Sequence, residues 1–160
     1  MVRRIISGGQ TGADRAALDT AIRLGVDHGG WVPRGRRAED GPVPMKYSLQ
    51  ETTTANYPER TEMNVRDADA TLIVSRGRLT GGSLLTQGMA RKHGKPCLHV
   101  DLADGDVDSA SEKVRIWLVG NGVEVLNVAG PRAGSDTEVY RLTSLLLERT
   151  LEKPPSRAGL

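Results

Sequence analysis

The sequence contains no phenylalanine and few aromatic residues of any kind: two tryptophans and three tyrosines among 160 residues. Proteins that bind single-stranded nucleic acid without sequence preference stack successive bases on aromatic side chains. We therefore do not expect nucleic-acid binding of that type. Cysteine occurs once, at Cys97. A single cysteine excludes an internal disulfide framework and fits a reducing compartment.

Excess charge and long apolar runs are also lacking. The 22 lysines and arginines stand against 20 aspartates and glutamates, a net charge of +2, which is too little for a protein that binds nucleic acid by charge alone. No run approaches the roughly 18 apolar residues of a membrane span. The first residues, Met-Val-Arg-Arg, lead into a strand rather than a secretory apolar stretch. We predict a cytoplasmic protein with neither a membrane nor a nucleic acid as partner.

Short apolar runs alternate with glycine turns and helical segments along the chain. The clearest strands are residues 70–75, 97–101 and 123–128, which are short and rich in β-branched residues. Two more strands are expected at residues 5–6 and around 28–32. Alternating strands and helices build right-handed βαβ units. The sequence therefore predicts an α/β fold, a doubly wound and mainly parallel sheet of about five strands with helices on both faces.

Two of the later helices carry the spacing of a capping box, a serine followed three residues on by a glutamate. The pairs are Ser109 with Glu112 and Ser135 with Glu138, and they predict helices that begin at the serines. In the last helix, Val139, Leu142 and Leu146 form the inward stripe. Leucines within residues 145–147 are expected to offer exposed apolar surface for association with another copy.

We expect residues 1–151 to form one domain, because domains usually run to about 100–200 residues. Within it, residues 34–58 contain three prolines and no sustained periodicity. Irregular segments of this length in compact domains are usually functional or disordered. We predict an ordered, irregular flap over the ligand. Residues 152–160 are predicted to be a disordered tail.

Three of the predicted strand ends are glycine turns that open helices: Gly8–Gly12, Thr80–Ser83 and Gly130–Ser135. Ligands of open parallel sheets bind beyond the carboxyl ends of the strands. Glycine lets the backbone approach an anion closely, and a helix start supplies unpaired N–H groups. Arg76 and Arg132 are the arginines best placed to add charge. The pattern predicts a site for a phosphorylated or otherwise anionic small molecule.

Several other chemistries lose their sequence support. The first glycine turn lacks the Gly-Lys-Ser/Thr ending of a P-loop and is not a G-x-G-x-x-G dinucleotide fingerprint. The aspartates between residues 101 and 108 do not fit a calcium-binding loop, and the three histidines lack metal-ligand spacing. Cys97 is interpreted as a small core residue of a central strand. We predict no metal site and no nucleophilic catalytic residue.

Seven separated strings of the sequence resemble the molybdenum cofactor carrier family. The similarity keeps its order and spacing over about residues 3–147. The strings are Ser7–Asp19, His28–Pro33, Gly35–Pro42, Arg60–Val65, Leu79–Ser83, Lys95–Asp101 and Leu126–Arg132.

The resemblance implies a Rossmann-like fold of the SLOG superfamily. It also implies a homo-oligomer, a dimer or tetramer, that binds and protects molybdenum cofactor, a pterin with a phosphate and a metal dithiolene. Its partners would be a molybdoenzyme or a protein of cofactor synthesis. Together the residues and the resemblance predict these ligand-binding positions: Gly8, Gly9, Gln10, Thr11, Gly12, Asp14, Arg60, Asn64, Arg76, Thr80, Gly81, Gly82, Ser83, Gly130, Pro131 and Arg132.

A nucleotide-processing enzyme of the same superfamily is the alternative. The related nucleotide phosphoribohydrolases carry Gly-Gly-x-Gly-Thr-x-x-Glu, and the similar string here, residues 81–87, ends near Gln87. An amide cannot act as a general base, so this departure favours binding over hydrolysis. Another carboxylate, such as Asp14, leaves enzymatic chemistry open. A nucleic-acid-processing or signalling role, or an oligomer with a vestigial pocket, also stays open at this stage.

Overall fold

The computed structural model describes residues 1–152, so the predicted tail falls almost entirely outside the described residues. Five of the strands form one sheet, and four short strands form two separate pairs. The elements, in chain order, are β1 (Arg4–Ile6), α1 (Ala13–Leu24), β2 (Asp27–Gly29), β3 (Trp31–Val32), β4 (Arg37–Ala38), β5 (Gly41–Pro42), β6 (Gln50–Glu51), α2 (Tyr57–Asp67), β7 (Ala70–Ser75), α3 (Gly81–Lys92), β8 (Cys97–Asp101), α4 (Val107–Gly120), β9 (Val125–Ala129) and α5 (Val139–Leu151).

The main sheet has the strand order β2-β1-β9-β7-β8, and every pair in it is parallel. This confirms the predicted α/β fold. The order also decides where a site lies, because β1, β9 and β7 are neighbours. Their carboxyl ends therefore deliver three successive loops to one edge of the sheet, the place where such sheets bind ligands.

Helices cover both faces of the sheet. On one face α5 packs between α1 and α4, and on the other α2 packs against α3. All six residues of β7 are buried, as expected for a central parallel strand. The main core joins strand residues such as Leu72 and Leu126 to the α5 side chains Leu142, Leu146 and Leu147. Leu146 and Leu147 are therefore not the exposed association surface that we expected.

Residues 34–58 are more regular than predicted. They contain β4, β5 and β6 and lead into α2. Val43 and Tyr47 are buried with Leu18 of α1 and Val32 of β3 in a second apolar cluster. The Arg36 guanidinium donates hydrogen bonds to backbone carbonyls of the same segment, those of Val43, Pro44, Tyr47 and Leu49. Packing against α1, together with these internal bonds, orders the segment.

Several predicted boundaries differ from the structure, and both capping-box predictions are wrong. The cap of α4 is Asp106, whose carboxylate accepts the N–H of Ser109, so the helix begins before that serine. The cap position of α5 is Glu138. Ser135 lies in the preceding turn, where its N–H is used by the carbonyl of Arg132. The strand predicted at residues 123–128 begins two residues later, and that at 28–32 is broken after Gly29.

Cys97 lies in β8, an edge strand, and is half-buried. The prediction that Cys97 lies in a central strand is wrong. The central strand here is β7, which lies between β9 and β8, and β8 is at the edge of the sheet. Burial raises the pKa of its thiol. None of the helices in residues 1–152 is long and apolar enough to cross a membrane.

Candidate functional site

A cavity of about 280 Å³ lies where the loops after β1, β7 and β9 meet. This volume is near the lower end of the range for small-molecule sites, about 300–1,000 Å³. All three predicted glycine turns contribute to its wall, and α2 supplies another side. Of the sixteen positions predicted from sequence, twelve line it: Gly8, Gln10, Asp14, Arg60, Asn64, Thr80, Gly81, Gly82, Ser83, Gly130, Pro131 and Arg132.

The start of α3 is the part of the wall that offers free donors. The carbonyl of Thr80 accepts the N–H groups of Ser83 and Leu84, and no side chain in the described part of the chain caps this helix. Among residues 1–152, no acceptor takes the N–H of Gly81 or Gly82. A side chain at Gly82 would meet nothing within 4 Å. Packing therefore does not require glycine at position 82. Because glycine has no side chain, the path from the cavity to the N–H groups of Gly81 and Gly82 stays open.

The start of α1, in contrast, is largely satisfied from within. The N–H of Gln10 donates to the Asp14 carboxylate, that of Thr11 to the Gln10 side chain, and that of Ala13 to the carbonyl of Pro131. A buried carboxylate in the first helical turn already interacts with the positive end of the helix. The first glycine turn is therefore a poorer anion cradle than the α3 start, although the sequence motif made the two look alike.

Asp14 and Arg60 form a buried ion pair on the cavity wall. An Nη atom of Arg60 lies 3.3 Å from the Asp14 carboxylate and donates to the carbonyl of Gly8 at 2.9 Å. Burial raises the pKa of Asp14, against the pull of Arg60, and burial lowers the pKa of Arg60. A Cβ at Gly8 would lie 2.2 Å from the Arg60 guanidinium. Glycine at this position therefore makes room for the arginine.

Charge in the cavity is nearly balanced. Asp14 is the only acidic residue that lines it within the described part of the chain, and Arg60 and Arg132 are the basic ones. Arg60 is committed to Asp14. The side chain of Arg132 is 52% exposed, and its Nε lies 3.7 Å from Glu39, beyond hydrogen-bond distance. Arg132 therefore retains a guanidinium that can turn toward a bound anion.

Four predicted positions do not line the cavity. Arg76 forms a two-pronged salt bridge with Asp136, and its shortest nitrogen–oxygen distance is 2.8 Å. Gly9 packs against apolar side chains of the second cluster, and Thr11 donates its hydroxyl hydrogen to Glu39 at 2.6 Å. Gly12 has a φ of +81°, and a Cβ there would lie 2.4 Å from the carbonyl oxygen of Pro131. These residues join the turns to each other and to the fold.

Two of the lining residues use their side-chain amides structurally. Asn64 accepts the N–H of Trp31 and donates to its carbonyl, which fixes β3 beside α2. The carbonyl oxygen of the Gln10 amide accepts the N–H groups of Thr11 and Glu39. Both side chains therefore hold the wall in place, and neither is fully available to a ligand.

Sequence reasoning missed part of the lining. From the predicted flap, only Tyr57 and Pro58 reach the cavity. The lining residues outside the sixteen predicted positions are Tyr57, Pro58, Thr61, Leu85, Thr86, Asn127, Val128, Ala129 and Ser135, of which Ser135 belongs to the predicted third turn. Most of them lie next to a predicted position in the chain or one helical turn away from it. That proximity is the signal that would have found them.

Neither a metal cluster nor an activated serine is present in the described residues. No group of three or more His, Cys, Asp or Glu residues there could hold a metal ion. Ser75 and His99 do lie 2.6 Å apart, but the serine donates its hydrogen to the carbonyl of Gly77. The His99 nitrogen must then donate to Ser75, the reverse of what a general base requires.

A second cavity of about 560 Å³ lies between β1 and residues 45–50. Arg4, Trp31 and Tyr47 are among its lining residues. None of the sixteen positions predicted from sequence contributes to it, so it is distinct from the site at the strand ends.

Comparison with known proteins places the chain in a family. A comparison with curated proteins found no match. Among solved structures, the chain is similar to one from Syntrophus aciditrophicus SB described as a "Putative molybdenum carrier protein". The two share 54% sequence identity and a TM-score of 0.93, and the match covers 94% of this chain and 96% of the other. The family described as "Circularly permutated YpsA SLOG family" matches residues 5–151. The chain therefore belongs to this SLOG family.

Proposed function

We propose that the protein binds a phosphate-bearing small molecule at the strand-end cavity and carries it protected from water. The observation that supports this most is the start of α3, where Gly81 and Gly82 line the cavity and their N–H groups meet no acceptor among residues 1–152. A helix start favours an anion by about 0.3–1 kcal/mol, and a hydrogen bond to a charged group contributes about 1.5–3 kcal/mol. Arg132 adds a charge-assisted bond.

Molybdenum cofactor is the cargo we propose, in line with the description of the similar solved structure. Its phosphate suits the Gly81, Gly82 and Arg132 donors, and its pterin would lie against polar lining residues such as Thr61 and Asn127. Among the described residues, those that line the cavity include no histidine and no cysteine. The protein would therefore hold the organic part of the cargo and leave the metal to the dithiolene of the cofactor.

Hydrolysis of nucleotides, the alternative, finds less support in the cavity. Gln87 does not line it. Asp14, the one carboxylate that lines the cavity within residues 1–152, is held by Arg60 and by the N–H of Gln10. A general base has to be free to take a proton from the substrate, and Asp14 is engaged in the ion pair.

Calorimetric titration tests the proposal. We expect saturable, one-to-one binding of molybdenum cofactor or of its phosphate-bearing, metal-free precursor, and clearly weaker binding of the dephosphorylated precursor. Absence of saturable binding, or equal affinity with and without the phosphate, would contradict the proposal. In parallel, incubation with nucleoside monophosphates should release no free base, and mass spectrometry of small molecules that co-purify with the protein should show a phosphorylated heterocycle.

A further inference from the structure

Glu39, at the tip of the β4–β5 hairpin, is bound in a cradle of anion-binding groups. Its carboxylate accepts the Thr11 hydroxyl at 2.6 Å and the N–H of Gly134 at 2.9 Å, and it lies 3.7 Å from the Arg132 guanidinium. Its own N–H donates to the Gln10 side chain at 2.9 Å. These contacts hold the pKa of the Glu39 carboxyl below its ordinary value, and the Thr11 hydroxyl contributes most.

The groups that hold Glu39 belong to the same turns that form the cavity. Thr11 lies in the turn after β1, and Arg132 and Gly134 lie in the turn after β9. Arg132 itself lines the cavity. A hydroxyl, a backbone N–H and a guanidinium are the donors that also bind phosphate oxygens. The protein therefore fills an anion position beside the cavity with one of its own carboxylates.

The protein thus has two anion positions of different status, one in the cavity and one beside it, next to Arg132. The α3 start has free N–H groups, and the Glu39 cradle is occupied. A ligand with one phosphate needs only the first position. A second phosphate, extending past Arg132, would meet the Glu39 charge and would have to displace it from its two hydrogen-bond donors, Thr11 and Gly134. Repulsion between like charges at a binding site is a common means of rejecting the wrong partner.

We infer that Glu39 is a specificity-determining residue that restricts the cavity to ligands with a single phosphate group and excludes diphosphates. The inference rests on the proposed function in one respect, the binding of the first phosphate at the α3 start. The role of Glu39 at the second position is tested independently of it. Removal of the Glu39 side chain leaves the Thr11 and Gly134 donors free for a second phosphate, beside the Arg132 guanidinium.

Asp40 provides a matched control in the same hairpin. Its carboxylate binds the Arg15 guanidinium at 2.5 and 2.7 Å and does not line the cavity. Asp40→Ala changes the net charge by the same amount as Glu39→Ala and removes a contact between the same hairpin and α1. It leaves the Glu39 cradle filled. Any effect of general charge or of a loosened hairpin should therefore appear in both variants.

The experiment measures the affinities of inorganic phosphate and of pyrophosphate for the wild type, Glu39→Ala and Asp40→Ala by calorimetry, well below the melting temperature of each. Phosphate and pyrophosphate isolate the anion positions from the heterocycle. We expect Glu39→Ala to raise the ratio of pyrophosphate affinity to phosphate affinity about tenfold, the size of one added charge-assisted contact. Asp40→Ala should leave the ratio unchanged. If the alanine variant does not fold, Glu39→Gln replaces it, since glutamine keeps the side-chain length and removes the charge. This variant should also raise the ratio of pyrophosphate affinity to phosphate affinity.

An unchanged ratio in the Glu39 variants, or an equal rise in Asp40→Ala, would overturn the inference. Failure of the proposed function looks different. In that case the wild type binds no phosphate at all, while a gain of pyrophosphate binding confined to the Glu39 variants still supports the cradle.

Discussion

At the scale of single residues, the buried pair of Asp14 and Arg60 has a large expected effect on stability. Each charge is buried and has the other as its main partner, with an additional hydrogen bond from Gln10 or to Gly8. Removing one partner of such a pair leaves an uncompensated buried charge. We predict that Arg60→Met lowers the free energy of unfolding by about 3–5 kcal/mol, as measured by urea unfolding.

The double variant Asp14→Asn/Arg60→Met is the control for this prediction. It removes both charges, and replacing a whole buried pair by uncharged groups is often nearly neutral. We therefore expect it to be more stable than Arg60→Met alone. Equal stability of the single and double variants would show that Arg60 acts by packing rather than by neutralising Asp14.

Arg132 and Arg76 look equivalent in the sequence, since each follows a strand end, but the structure separates them. Arg132 lines the cavity, whereas Arg76 is bound to Asp136. We predict that Arg132→Gln weakens the binding of a phosphorylated ligand about tenfold, while the matched Arg76→Gln changes it less than about twofold. Calorimetry with the same ligand decides between them, and equal losses would place Arg76 in the site after all.

At the scale of elements, Asp19 joins α1 to two other parts of the chain. Its carboxylate accepts the hydroxyls of Tyr47, in the segment between β5 and β6, and of Tyr140 in α5, at 2.6 and 2.5 Å. Burial and then the bond to Asp19 raise the pKa of both phenols, that of Tyr140 to about 12. The folded protein therefore retains these protons at a pH where the unfolded chain loses them.

This linkage predicts a loss of stability in alkali. Both tyrosines contribute fully below about pH 10, where unfolded tyrosine is protonated, and the contribution falls as the pH rises toward the folded values. We expect the free energy of unfolding of Tyr47→Phe/Tyr140→Phe to fall less than that of the wild type between about pH 9 and about pH 11. Urea unfolding at the two pH values measures this, and equal falls would contradict the linkage.

The contact between the turns after β1 and β9 is another link between elements. Since Gly12 has a positive φ and no room for a Cβ beside Pro131, we predict that Gly12→Ala lowers the free energy of unfolding by at least about 2 kcal/mol. Gly88, inside α3 with open space around it, is the control. Gly88→Ala should stabilise the protein by about 0.5–1 kcal/mol. Similar effects of the two substitutions on urea unfolding would contradict the account.

At the scale of the whole molecule, the sequence predicted the sheet and its glycine edge because both follow from local patterns. Buried parallel strands such as β7 are short β-branched runs, and helices such as α1 end at a glycine. In the order β1-β9-β7, β1 and β9 pair residues 121 positions apart and β9 and β7 pair residues 56 positions apart, so the local pattern predicted the fold class but not which strands are neighbours. The α4 start was mispredicted because Asp106 competes with Ser109 for the same role.

The site could be predicted only in part for a related reason. The three turns carry similar motifs, yet their donors differ once folded. In the first turn Asp14, the Gln10 side chain and the Pro131 carbonyl each accept an N–H, whereas within residues 1–152 no side chain caps α3. Glu39 gave no sequence signal, because its role depends on a hairpin that returns to residues 11 and 134. Whether a given N–H group is already hydrogen-bonded or is free to bind a ligand depends on how the three turns pack together in the folded protein.

The most direct test of the central claim is an amide NMR titration of the protein with the phosphate-bearing, metal-free precursor of molybdenum cofactor. The account predicts saturable shifts centred on the amides of Gly81, Gly82 and Arg132, with smaller changes at Gln10 and Thr11, whose N–H groups are already bonded. Saturable shifts centred on other residues, or no saturation, would contradict it.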